Sequence, residues 1–252
     1  MIRWLPAVVV GGAVAASLAA PADIGHERPL LFRDPFDGGD RVITNHYAYH
    51  SPDYVDAHRS PKWEVESGCA LRDGNRLWTG ELTTNLPNRD CTNGTGSAVF
   101  RMWTKRSDFD DVAVSFGVRN DGYTPTGESW DGVKIYLRRQ DGDNFYTAEV
   151  NRREGNVIVQ RKCDGRYALL GGVRSGATPA RLGEWEDVGA TVINLSDDEV
   201  RVQVVRDGSV ALEAIDPAGA CDVLRTPGRI GIRGDRTAFY VDRMEVRGLT
   251  AG

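Results

Sequence analysis

Residues 130–155 read WDGVKIYLRRQDGDNFYTAEVNRREG, two apolar–polar alternating runs on either side of an Asp-Gly turn. Val133, Ile135 and Leu137 interleave with Lys134, Tyr136 and Arg138. Past the turn, Tyr146, Ala148 and Val150 interleave with Thr147, Glu149 and Asn151. A period of two sends alternate side chains to opposite faces, so each run predicts a strand with one buried and one open face. Similar runs recur at 29–33, 41–45, 62–65, 69–72, 76–79, 97–105, 110–119, 155–162, 185–193, 199–206, 209–214, 228–233 and 238–247. Turn signals such as Asp73-Gly74-Asn75, Asn93-Gly94 and Asp207-Gly208 separate them. No stretch has a helical period of useful length, and the sole helix expected is a turn or two within 52–58. Many short strands joined by hairpin signals, with no Pro/Ser linker, predict an all-β, two-sheet jelly-roll sandwich in one domain.

The chain has 252 residues, and its first 22 are expected to be a signal peptide. Arg3 supplies a positive charge, LPAVVVGGAVAASLAA is apolar and small, and Ser17-Leu18-Ala19 and Ala20-Pro21-Ala22 suit cleavage. Residues 23–252 then form the domain of an extracellular protein, with no membrane attachment after cleavage. Cys69, Cys91, Cys163 and Cys221 in an exported chain suggest two disulfides, and three pairings are open. We favour Cys69–Cys91 with Cys163–Cys221, which closes one short and one long loop. No CxxC spacing or neighbouring histidine points to a bound transition metal. A net charge of −5 gives no general attraction to polyanions, so nucleic acid is not an expected partner, and an anionic ligand needs a local basic patch. A monomer is expected.

Projected onto one face, Lys134, Tyr136 and Arg138 lie beside Thr147, Glu149 and Asn151, with Gln160 and Lys162 on the next strand. The run AVFRMWTK adds Arg101, Trp103 and Lys105. Cations, amides and aromatic planes on one surface suit an acidic sugar chain, binding its carboxylates, hydroxyls and ring faces respectively. A second cluster, ITNHYAYHSPDY, gathers Asn45, His46, Tyr47, Tyr49, His50 and Tyr54 in a loop that could fold over the sheet and supply an acid or base. Asp34, Asp37 and Asp242, with Asp235 a weaker fourth, are oxygen donors suited to a structural calcium ion near the chain ends. No cofactor is expected for catalysis.

The segments LLFRDPFDGG, GEWEDVGATV and PGRIGIRGDRTAFYVDRMEV resemble the concanavalin A-like (laminin-G-like) sandwiches over residues 29–247. That resemblance implies pairing of the first and last strands. It leaves function open among lectins, hydrolases, lyases and binding modules. Glu184-Trp185-Glu186-Asp187 departs from the E-x-D-x-x-E of laminarinase-type glycosidases, because the third acid is missing and the spacing differs. ITNHYAY, WDGVKIYLRRQ and YTAEVNRREG are similar to the small secreted actinobacterial hyaluronidases of the lyase type, with His46 where an acid is expected. The resemblance implies hyaluronan as substrate and β-elimination as chemistry. In that reading Tyr136 or His46 is the base and Tyr47 an acid. Arg138 with Asn45 or Asn151 neutralises the uronate, and Lys134 and Arg101 hold neighbouring sugars. A glycoside hydrolase using Glu149 with an unidentified partner, and a non-catalytic carbohydrate-binding protein, are the alternatives.

Overall fold

The computed structural model describes residues 29–82, 99–173, 179–217, 219 and 223–249. The expected signal peptide lies outside them. The strands are β1 (Leu30–Asp34), β2 (Arg41–Asn45), β3 (Trp63–Ser67), β4 (Cys69–Arg72), β5 (Leu77–Trp78), β6 (Val99–Thr104), β7 (Val112–Tyr123) and β8 (Gly132–Arg139). They continue as β9 (Phe145–Arg152), β10 (Val157–Cys163), β11 (Arg166–Val173), β12 (Trp185–Asn194), β13 (Glu199–Arg206), β14 (Ser209–Pro217), β15 (Arg229–Asp235) and β16 (Thr237–Gly248). One sheet runs β14-β13-β12-β7-β16-β5-β4-β2, with β1 also pairing β16. The other runs β11-β10-β9-β8-β15-β6-β3. The result is the expected single-domain, antiparallel two-sheet sandwich. Its first and last strands pair, with Phe32 opposite Val246 and Asp34 opposite Met244.

The alternation read from the sequence becomes the core. Val133, Ile135 and Leu137 from β8 and Tyr146, Ala148 and Val150 from β9 are buried against Val112, Val114, Phe116 and Val118 of β7. Each Val, Ile, Leu or Phe among them contributes roughly 1.5–3 kcal/mol of burial. Two features differ from expectation. The helix α1 covers Tyr47–His50 rather than any part of 52–58. β11 has no counterpart among the expected runs: its sequence RYALLGGV lacks clean alternation, and as an edge strand it leaves Tyr167 and Leu169 exposed.

Two bulges then decide which polar side chains reach the open face of the seven-stranded sheet. Against β15, Tyr136 pairs with Gly231 but Arg139 pairs with Arg229, so β8 holds one extra residue. Arg138 takes up that residue with φ +48°. A side chain at Gly228 would run into the Arg138 backbone, so the close approach requires glycine there. The bulge turns Arg138 inward to complete burial, at 0% exposure. Its guanidinium donates to Asp111 Oδ1 at 2.6 Å, Asn194 Oδ1 at 2.7 Å and the Leu224 carbonyl at 2.8 Å, tying the two sheets together. On β9, Val133 pairs with Asn151 while Lys134 pairs with Glu149, and this second bulge turns Asn151 inward. Its Oδ1 accepts a hydrogen bond from Asn120 of β7.

A second inter-sheet tie joins Tyr146 to Asp216 Oδ2 at 2.6 Å, where Arg161 also binds at 2.8 Å. We expect Arg138→Ala to cost about 3–5 kcal/mol in urea unfolding, since it strands the Asp111 carboxylate and the Asn194 amide. Replacing the exposed Arg41 with Ala should stay within about 0.5 kcal/mol. Equal losses for the two variants would contradict the tie.

Candidate functional site

Residues paired across antiparallel strands project from the same face. One row of the open face therefore runs Leu169, Gln160, Thr147, Tyr136, Gly231, Trp103, Glu64, and the next runs Ile158, Glu149, Lys134, Arg233, Arg101. The expected neighbours Tyr136, Trp103, Arg101 and Gln160 do share this surface. Gly231 supplies no side chain in the middle of the first row, and this leaves Tyr136 and Trp103 flanking a dip.

A cleft of about 210 Å³ opens beside that row, lined by Glu66, Arg101, Trp103, Tyr136, Arg139, Phe145, Lys162, Tyr167 and Arg233. Arg139 takes the outward place that alternation had given to Arg138. Its guanidinium carbon stands 3.6 Å from the Trp103 ring centre, and among the described residues it has no ion-pair partner. Burial pulls the Arg139 pKa down, and the nearby Glu66 pulls it back up. Lys162 sits 5.6 Å from the Phe145 and Tyr167 rings and is tethered to Asp143 at 2.9 Å. Tyr136 packs edge-to-face on Phe145 at 4.9 Å. Of the four lining cations, Arg101 is paired with Glu66 at 3.7 Å, Lys162 with Asp143 and Arg233 with Asp235, so Arg139 is the one without an ion pair among the described residues. Arg139, Arg233 and Tyr167 were missed in the sequence, because a bulge, a distant strand and an irregular edge strand respectively bring them here, whereas Phe145 shares the period of Thr147 and Glu149 and was legible but passed over.

Beneath the surface, several expected ligand-binding groups are already satisfied. Lys134 Nζ lies 2.9 Å from Glu149 Oε1 and 3.0 Å from Asp235 Oδ2. Burial opposes the Lys134 charge, but Asp235 and Glu149 outweigh it and raise its pKa. Glu149 is also bound by Arg152, and Asp235 by Arg233 Nε at 2.7 Å. Lys134 and Glu149 therefore neutralise each other rather than meet a ligand, and Glu149 is no free acid for hydrolysis. Arg138 and Asn151 face the inter-sheet space, so neither can neutralise a substrate carboxylate on the open face.

The 42–54 cluster lies at the β3 rim. Asn45 Nδ2 donates to the Asp56 carbonyl at 2.6 Å, while its Oδ1 accepts from Ala48 N at 3.2 Å and His58 N at 3.1 Å. It is a buried loop staple, 1% exposed, and does not stand on the open face. His46 stacks on Tyr47 at 4.6 Å, and Tyr47 on Tyr54 at 5.0 Å. His50 Nε2 lies 3.4 Å from the Glu66 carbonyl, which fixes α1 against the strand bordering the cleft. Among the described residues no contact joins His46 or Tyr47 to Tyr136. A neighbouring hollow of about 270 Å³ beside α1 includes Tyr49, Arg59, Glu64 and Lys105.

Two of the expected calcium ligands, Asp34 and Asp37, border one hollow, but Asp242 does not join them. Asp34 accepts from Trp63 Nε1 at 2.7 Å and from the Phe36 amide at 3.0 Å. Asp242 opposes Gly117 beside Arg243, on the outer face of the nine-stranded sheet. No group of three or more His, Cys, Asp or Glu side chains suited to a metal exists among the described residues. Glu186 of the Glu-Trp-Glu-Asp run is held by Arg206 at 2.6 Å. Cys69 and Cys163 are half-cystines. The expected partners Cys91 and Cys221 lie outside the described residues.

No protein-family model matches the chain, and no curated protein matches it. Solved structures do. A point mutant of the Emp46p carbohydrate recognition domain superposes with TM-score 0.53 at 11% identity, covering 89% of this chain and 100% of that one. The Ca²⁺/Man3GlcNAc-bound VIP36 exoplasmic/lumenal domain gives 0.51 at 11% identity, covering 85% and 92%. A structure described under endo-acting O-glycanases of the human gut microbiota gives 0.51 at 10% identity, covering 88% and 100%. These likenesses concern the fold, and they agree with a two-sheet antiparallel jelly-roll sandwich of the lectin-like kind. Among the described residues no helix is long and apolar enough to cross a membrane.

Burial, then the charge of His50, lower the His46 pKa from its ordinary 6.5. The folded state disfavours that proton, so this contribution to stability is full above pH 6.5 and is lost as pH falls through the lowered value. The melting temperature of the wild type should therefore drop more steeply below pH 6.5 than that of His46→Gln. Parallel pH profiles would contradict the assignment.

Proposed function

We propose that this is an exported lyase that lays an acidic, uronate-containing polysaccharide of the hyaluronan type along the open face of the seven-stranded sheet and cleaves it by β-elimination. The observation that carries this reading is Arg139, a guanidinium with no carboxylate partner among the described residues, laid on Trp103 in a cleft shared with Arg101, Lys162 and Arg233. Guanidinium forks match carboxylates, and aromatic planes match the apolar faces of sugar rings. The similar structures include a carbohydrate recognition domain, a glycan-bound domain and one described under O-glycanases, and this supports a sugar ligand. The uronate and hyaluronan rest on the cationic cleft and on the sequence resemblance. Export rests on the composition of residues 1–22 and on the half-cystines.

β-Elimination removes the proton on the carbon next to the carboxyl. That electron pair becomes a carbon–carbon double bond, the bond to the leaving sugar oxygen breaks, and the oxygen takes up a proton. Tyr136 lies in the cleft with Arg233 within hydrogen-bonding reach, which makes it a better proton carrier here than His46. Arg139 would hold the uronate and stabilise charge developing on it. Non-catalytic binding is the second reading, favoured by the burial of Tyr136, which is only 3% exposed.

The test mixes purified protein with hyaluronan, alginate, glucuronan and a neutral glucan, and follows both reducing ends and the ultraviolet absorbance of an unsaturated product. Both signals should rise together on hyaluronan. Reducing ends alone would mean hydrolysis, and binding without either signal would mean a lectin-like module. In the lyase, Tyr136→Phe should lower kcat by about 10²–10⁴-fold. Arg139→Ala should act on KM as well, since it holds substrate before reaction.

A further inference from the structure

The opposite face of the sandwich carries a second ordered surface. Trp78 of β5 pairs with Tyr240 of β16, Tyr240 with Arg119 of β7, and Arg119 with Trp185 of β12. Their neighbours Leu77, Val118 and Val241 are buried in the core, so this row projects outward from the nine-stranded sheet. The side chains stack along it. The Trp78 and Tyr240 rings are 5.9 Å apart and nearly parallel, Arg119 lies 4.4 Å from the Tyr240 ring, and Arg76 lies 5.1 Å from Trp185. Across four strands, at about 4.8 Å per strand, the row spans roughly 14 Å, the length of a short oligosaccharide.

The charges of the row are matched except at one place. Arg119 Nε donates to Asp121 at 2.8 Å, and the Tyr240 hydroxyl donates to Asp73 at 2.9 Å. Glu184, next to Trp185, is paired with Arg181 at 2.8 Å. Arg76 is exposed and has no ion pair among the described residues. Trp185, on which it lies, is 37% exposed. A surface with apolar faces and one unmatched cation complements a ligand that has apolar ring faces and an anionic group. The cleft on the other sheet has the same chemistry.

We infer that the Trp78–Tyr240–Arg119–Trp185 row with Arg76 is a second contact for an acidic sugar chain, on the sheet opposite the cleft. The inference rests on the proposed ligand class and is independent of the cleft's own geometry. Two contacts on opposite faces would let a long polymer stay attached at one while it leaves the other.

Isothermal titration with a hyaluronan octasaccharide tests this, with every change made in the Tyr136→Phe background so that the ligand is not cleaved. The Tyr136→Phe protein should bind two oligosaccharides per chain, and adding Arg139→Ala should remove one of them. Arg76→Glu, a change at an exposed side chain, should weaken the other by about tenfold or more, as for loss of a charge-assisted contact. Trp185→Ala with an unchanged melting temperature should act like Arg76→Glu. If Arg139→Ala abolishes all binding and Arg76→Glu changes nothing, the second contact is overturned and the cleft stands. If Arg76→Glu abolishes binding while Arg139→Ala has no effect, the second contact stands and the cleft reading falls. No binding by the Tyr136→Phe protein overturns the second contact.

Discussion

The placement of one arginine governs the site. The extra residue in β8 holds Arg138 at φ +48° and sends its guanidinium between the sheets, to Asp111 and Asn194. Strict alternation would have put Arg138 on the open face and Arg139 inside. With the bulge, the first arginine joins the two sheets and the second lies on Trp103. Burying a guanidinium is tolerable only where its donors are met, and here a carboxylate, an amide and a carbonyl meet them. The scaffold and the cationic cleft therefore depend on the same backbone irregularity.

The open face is divided by its electrostatics. Toward one end, Lys134, Glu149, Arg152, Asp235 and Arg233 form a chain of short ion pairs whose charges offset one another. Such groups stiffen the floor and have little left to offer a ligand. Toward the other end, Arg139 lies on Trp103 with no ion-pair partner among the described residues, while Lys162, over Phe145 and Tyr167, is tethered to Asp143. A cation resting on a ring keeps its hydrogen-bond donors directed outward, where a carboxylate can take them. Geometry thus separates the structural charges from those available for binding, although all stand on one sheet.

Much of the architecture was legible in the sequence. Alternation located fifteen strands, because a half-buried antiparallel sheet writes its period directly into residue order. β11 escaped because an exposed edge strand has no buried face to enforce that period. The site was legible only in part. Tyr136, Trp103, Arg101 and Gln160 fall on the open face because the irregularities beside Gln160 and Arg101 insert their extra residue into the partner strand and leave the period of β10 and β6 intact. Arg138 and Asn151 were misplaced because a single inserted residue reverses every side chain beyond it. Lys134 and Glu149 were placed on the correct face, but their pairing depends on Asp235, a residue distant in sequence on β15. Asn45 looked like a ligand because a loop amide reads the same whether it staples its own backbone or a sugar. Arg233 and Tyr167 come from strands joined to the site only by sheet topology.

The central claim is that Arg139 on Trp103 forms the receiving surface for an acidic sugar. It is tested most directly by following the Trp103 indole N–H resonance in ¹⁵N-labelled protein titrated with a hyaluronan oligosaccharide. The account predicts a saturable shift of that resonance that is absent with a neutral glucan and absent in Arg139→Ala. Binding that leaves the Trp103 resonance unmoved, while resonances elsewhere shift, would contradict it.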